Sequence, residues 1–102
     1  MYQLEFLPIA RQDMADIVRY ISHDLSNPTA AEKLAYEMIA AAERLTDFPY
    51  INPIHQSVKP LKSEYRKLIV KNYILFYWID ESDRKVTIAR AIYARREYEK
   101  LL

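Results

Sequence analysis

Tyr65-Arg66-Lys67-Leu68-Ile69-Val70-Lys71-Asn72-Tyr73-Ile74-Leu75-Phe76-Tyr77-Trp78-Ile79 reads as two strands joined by a tight turn. Both halves are rich in β-branched and aromatic residues, which suit a pleated, half-buried surface. Lys71-Asn72 is the turn, and Asn tolerates the left-handed backbone that a tight hairpin uses. Tyr73–Ile79 is apolar on both faces, which predicts a central strand covered at least in part on both sides. Asp80-Glu81-Ser82-Asp83-Arg84 is a polar turn, Lys85–Ile92 a third strand, and Arg95–Leu102 a short terminal helix.

Upstream the period changes. Tyr2–Leu7 alternates weakly and reads as a strand ended by Pro8. Met14, Ile17, Val18, Ile21 and Leu25 fall on one stripe of an amphipathic helix. Asn27-Pro28 then supplies an N-cap and a first-turn proline for a second helix, whose stripe is Ala31, Leu34, Ala35, Met38, Ala42 and Leu45. Phe48-Pro49 stops it, because the residue before a proline is pushed out of the α region. Residues 49–62, with Pro49, Pro53 and Pro60, read as a surface loop. The order is β-α-α-β-β-β: an α+β fold with an antiparallel two-helix hairpin layered on a mostly antiparallel sheet.

The 102 residues are 51% hydrophobic and 28% charged, which predicts a real core in a single domain, 1–102. There is no cysteine, which removes disulfides, thiolate nucleophiles and Cys-ligated zinc and fits a reducing cytosol. There is no glycine, so no Gly-rich phosphate cradle can be built, and any left-handed turn must use Asn, Asp or Lys. No signal peptide or membrane-spanning run is visible, and a cytoplasmic location is expected. Residues 1–58 carry four basic and eight acidic side chains; residues 59–102 carry eleven basic and six acidic. That split predicts either an anionic partner for the basic half or attraction between the halves.

The candidate site residues lie in the basic half. Arg90 is in phase with Val86, Ile88 and Ile92, so its guanidinium needs an ion-pair partner, such as Glu64 or a helix acid, or an external anion. Arg66, Arg95 and Arg96, with Lys71, are candidates for target or phosphate binding, since guanidinium forks match phosphate geometry. Tyr65, Tyr73, Tyr77, Tyr93 and Tyr98 could stack on bases or serve as strand packing. His23 and His55, the two histidines, have no partners at zinc spacing and read as solvent-facing or capping residues; no metal or cofactor is expected.

Taken together, these stretches resemble the RelE/ParE superfamily of type II toxins, closer to its ParE branch. The resemblance rests on Phe6-Leu7-Pro8-Ile9-Ala10-Arg11-Gln12-Asp13-Met14-Ala15-Asp16-Ile17, Tyr20-Ile21, Arg44-Leu45-Thr46-Asp47-Phe48-Pro49, Tyr65-Arg66, Asn72–Tyr77 and Ile92–Tyr98. It implies a curled antiparallel sheet packed by an N-terminal helical hairpin. It implies a growth-inhibiting toxin, of the kind found in plasmid-stabilisation modules, neutralised by a cognate antitoxin. ParE-like members poison DNA gyrase and are not nucleases; RelE-like members cleave mRNA on the ribosome without metal. Of the ribonuclease pattern, the resemblance places Arg66 and Arg95 here, with Tyr93 or Tyr98 for proton transfer. It also places Ile74 and Leu68 where that pattern has cations. A cationic donor lost from such a site costs on the order of 10²–10³ in rate. The expected function is therefore binding of a protein target, DNA gyrase, with mRNA cleavage on the ribosome as the alternative.

Overall fold

In the computed structural model, which describes residues 1–57 and 63–102, the expected order is present. Strand β1 (Gln3–Phe6) leads into helix α1 (Pro8–Arg19), a π-helical turn (Tyr20–Asp24) and helix α2 (Pro28–Arg44). Strands β2 (Arg66–Val70), β3 (Tyr73–Asp80) and β4 (Lys85–Tyr93) follow, then a 3-10 turn (Tyr98–Leu101). The sheet order is β1-β4-β3-β2. β2–β3 and β3–β4 are antiparallel, and β1 joins β4 in parallel.

Local chemistry accounts for most of the helix boundaries. Pro8 sits in the first turn of α1, where a missing N–H costs nothing. The Asn27 side chain accepts from the Ala30 N–H at 3.1 Å, capping α2 as its sequence predicts. α2 ends at Arg44, earlier than the Phe48-Pro49 stop; residues 45–47 form a turn in which the Thr46 hydroxyl donates to the Glu43 carbonyl. The stripe of α1 also ends early. The π turn, closed by Leu25 N–H donating to the Tyr20 carbonyl at 3.1 Å, inserts extra chain into the helical path, and Leu25 is exposed rather than buried.

The sheet carries apolar packing on both faces. On the helix side Ala10, Met14, Leu34, Met38, Ala42 and Leu45 pack on Leu75, Tyr77, Val86, Ile88 and Ala91. On the far side Ile74, Phe76, Ala89 and Ile92 are covered by Tyr65, Leu7, Trp78 and the C-terminal Tyr98, Leu101 and Leu102. The central place expected for Tyr73–Ile79 is thus occupied by β3, and β4 shares it.

A bulge corrects the phase read from the sequence. Phe76 pairs with Arg90 but Tyr77 pairs with Ile88, so Ala89 is an extra residue in β4. Val86 and Ile88 face the helices, whereas Ala89 and Ile92 join the far-side cluster. Arg90 therefore does not share one continuous face with Val86, Ile88 and Ile92. The hairpin turn holds a second correction. Lys71, not Asn72, takes the left-handed backbone, at φ 54°. Ser26 and Arg84 do the same at φ 52° each, so three ordinary residues do the work that glycine does elsewhere.

Candidate functional site

Arg90 is partly buried, and its fork is filled from inside the molecule. β1 covers the edge of β4 only as far as Ile88, beside which Leu7 N–H bonds the Ile88 carbonyl at 2.9 Å. Beyond that point α1 crosses the open edge and presents Asp13. The Asp13 carboxylate accepts from Arg90 Nε at 2.7 Å, from Arg90 Nη2 at 2.9 Å and from the Ala91 N–H at 3.0 Å. Arg90 Nη1 also donates to the Leu101 carbonyl at 3.0 Å. The side chains are 15% and 14% exposed. The carboxylate holds the guanidinium pKa above its ordinary value, against the cost of burial. Arg90 thus has the helix-acid partner that its neighbourhood demands, and that acid is Asp13, not Glu64.

Arg66 is held elsewhere. Nη1 donates to the Asn52 carbonyl at 2.7 Å, and the guanidinium lies 5.0 Å from the centre of the Tyr50 ring. Tyr50 and Tyr2 both donate their hydroxyls to Glu81, Tyr2 at 2.6 Å. The Glu81 bond, then burial, pushes the Tyr50 hydroxyl up to about 12. The Tyr2 and then the Tyr50 hydroxyl lower the Glu81 carboxyl in return. A small cleft of about 390 Å³ opens beside Arg66, lined also by Tyr50, Glu64, Trp78, Asp80 and Glu81.

Lys71, Tyr73, Tyr93, Arg95 and Arg96 lie at the opposite end of the sheet. Ala94 N–H donates to the Asn72 carbonyl at 2.8 Å, which sets the segment after β4 beside the β2–β3 turn. A groove of about 1030 Å³ runs there between the helices and the sheet. Its floor includes Ile17, Ile21, Leu34 and Ala91, its rings are Tyr20, Tyr73 and Tyr93, and Lys33, Lys71 and Arg96 stand on its rim. Tyr73 and Tyr93 rings are 5.6 Å apart. Burial raises the Tyr73 hydroxyl pKa, with smaller contributions from Tyr93 and Tyr20. Groove acids are already engaged: Asp13 by Arg90, Asp16 by Arg19 at 2.7 Å, and Glu37 by Lys71 at 3.8 Å. Among the described residues, Lys33 and Arg96 form no ion pair, nor does the exposed Arg95 just outside the groove.

Tyr98 belongs to neither place. Its ring packs on the far face against Phe76 at 5.2 Å and His55 at 5.6 Å. His55 is buried there, which corrects the solvent-facing reading of that residue. Its Nε2 contacts Glu99 Oε1 at 2.7 Å, and the Ser57 hydroxyl donates to Glu99 Oε2 at 2.5 Å. The Ser57 hydroxyl first, and after it His55, hold the Glu99 carboxyl below its ordinary value against the opposing cost of burial. Nothing in the local sequence marks this clasp, because its halves lie 44 residues apart.

The positions where a ribonuclease pattern has cations are packed. Ile74 is buried in the far-side cluster and Leu68 packs against the helix-side core. The structure brings Tyr93, Arg96 and Lys71 together. It leaves Arg66 beside the Tyr50 cleft, Arg90 in an internal pair and Tyr98 on the far face.

A family model described as ParE toxin of type II toxin-antitoxin system, parDE, matches residues 4–98. No curated protein sequence matches the chain. Among solved structures, the chain is similar to one from the chromosomal ParDE toxin–antitoxin system of P. aeruginosa. The TM-score is 0.74 at 16% identity, covering 93% of this chain and 98% of that one. It is also similar to a chain of the RelBE2 toxin–antitoxin complex of Mycobacterium tuberculosis, at TM-score 0.62 and 21% identity, over 90% and 96% of the two chains. A chain of the intact E. coli RelBE complex matches at TM-score 0.54 and 18% identity, over 94% and 100%. At these identities the structural matches speak for the fold.

Proposed function

The chain belongs to the ParE toxin family of type II toxin–antitoxin systems, and from that premise we propose that it arrests growth by binding a protein target, DNA gyrase, rather than by cutting RNA. One observation carries the reading: the residues a metal-free ribonuclease would need do not converge. A nuclease must activate a 2′-hydroxyl and stabilise a charged phosphorane with groups gathered around one phosphate. Here Arg66 and the groove cations stand apart, and Ile74 and Leu68 occupy packed positions. A cation at Ile74 would have to be buried among Phe76, Ala89 and Ile92.

The cytoplasmic partner that restrains the toxin is a cognate antitoxin. The groove supports that part of the reading. Its floor is apolar, and the rim charges without an ion-pair partner among the described residues, Lys33 and Arg96, are positive, which suits an amphipathic segment carrying acids. Arg95 and Arg96 are exposed beside this groove and serve target docking in the free toxin.

Induction of the chain in a bacterial host decides the mechanism. Supercoiling inhibition with covalent gyrase–DNA complexes and intact mRNA is the expected result. Rapid, codon-phased mRNA cleavage on translating ribosomes overturns it in favour of the nuclease alternative.

A further inference from the structure

Past the end of β1, the ladder geometry of β4 leaves main-chain groups facing the groove. In an antiparallel pair, bonded and non-bonded residue pairs alternate, and a non-bonded residue turns both its N–H and its C=O away from the neighbouring strand. Ala94 N–H donates to the Asn72 carbonyl at 2.8 Å, so the pairs Tyr73–Tyr93 and Leu75–Ala91 are of the non-bonded kind. Ala91 and Tyr93 therefore turn their main chain away from β3, on the edge that β1 covers only as far as Ile88. Two of these four groups are used internally. Ala91 N–H donates to Asp13 at 3.0 Å, and the Tyr93 carbonyl accepts from Arg96 N–H at 3.0 Å. The Ala91 carbonyl and the Tyr93 N–H have no hydrogen-bond partner among the described residues, and both residues line the groove.

That remaining pair selects a direction. An antiparallel strand bonds both main-chain groups of one residue, and at Ala91 and at Tyr93 one of the two is already taken. A parallel strand instead uses one of its residues to bond the C=O of one residue and the N–H two positions on. Ala91 C=O and Tyr93 N–H meet that requirement, with the added residue opposite Ile92. β1 follows the same pattern lower on this edge: Gln3, opposite Lys85, donates its N–H to the Arg84 carbonyl at 2.8 Å. We propose that the upper edge of β4 takes an extended segment of the antitoxin, running parallel to β4 and continuing the line of β1. Charge and valence assign the occupant. The groove acids Asp13, Asp16 and Glu37 are each paired, whereas Lys33 and Arg96 have no ion-pair partner among the described residues, so the segment carries carboxylates beside its apolar side chains. A nucleic-acid backbone would answer the cations but cannot complete a strand edge, which takes a peptide. The inference rests on the reading that the antitoxin occupies the groove, and it adds the conformation and direction of the bound segment.

The test uses the isotope-labelled chain, free and in complex with the polypeptide that restores growth when co-expressed with it. Amide exchange, chemical shifts and contacts between the two chains are read by NMR. In the free chain the Tyr93 amide is expected to exchange fast. In the complex, the Lys33 and Arg96 signals should move, Tyr93 exchange should slow about 100-fold or more, and one partner residue should contact both Ala91 and Tyr93. If the groove signals move while Tyr93 keeps its free rate, as under a helical occupant, the strand addition is overturned and the groove assignment stands. Contacts in antiparallel order have the same consequence. A Tyr93 amide already protected in the free chain refutes the open edge itself. A partner that restores growth with the groove signals unmoved removes both the groove assignment and the strand. If no polypeptide restores growth, the antitoxin reading falls and the inference falls with it.

Discussion

Asp13 sits where two demands meet: an unpaired strand edge and a half-buried guanidinium. Its carboxylate answers both at once, accepting from Ala91 N–H and from Arg90 Nε and Nη2. Removing one partner of such a pair leaves the other charge uncompensated. Asp13→Ala is therefore expected to cost about 3–5 kcal/mol, whereas the double change Asp13→Leu/Arg90→Met should recover much of that loss. Denaturant melts of the three proteins measure it, and a single variant as stable as wild type would show the pair to be idle. The sequence announced Arg90's need but not Asp13's answer. Asp13 stands next to a core position of α1 like any flanking acid, and the pairing spans 77 residues. The bulge at Ala89 was equally silent, since one inserted residue leaves no mark on a short apolar run.

At the scale of elements, the hairpin, both helices and the first strand were legible because each follows its own period and is bounded by a local signal. Asn27-Pro28 is the clearest case, with the cap in place in the structure. What stayed hidden are the joints between elements. The clasp of His55 and Ser57 on Glu99 pins the 3-10 turn to the loop before β2. Glu99 has a lowered folded-state pKa, as does Glu81, so each contributes stability present above the ordinary value of 4.5 and lost as pH falls through the lowered folded value. Acid titration of stability should be steeper below pH 4.5 for the wild type than for Glu99→Gln. Superimposable curves would mean that the clasp contributes nothing.

The whole molecule is a sheet with two covered faces, and the covers are unequal. One is a pair of helices; the other depends on Tyr98, Leu101 and Leu102 with Tyr65 and Trp78. Deleting residues 98–102 would uncover Ile74, Phe76 and Ile92 and remove the Leu101 carbonyl from Arg90. A stability loss of about 3 kcal/mol is expected from the apolar burial alone, read by thermal melting and by increased binding of a hydrophobic dye. A truncated chain that melts like the full one would reassign the far-side cover to the remaining residues.

The parallel pairing of β1 with β4 also orders events in time. β1 is synthesised before both helices and the β2–β3 hairpin, and its partner, residues 85–88, emerges only after them. Until then the sheet lacks one of its two central strands, and Asp13 has no Arg90 to grip. A ribosome making this protein therefore carries an unassembled surface until β4 has emerged, and only then can the groove between helices and sheet form.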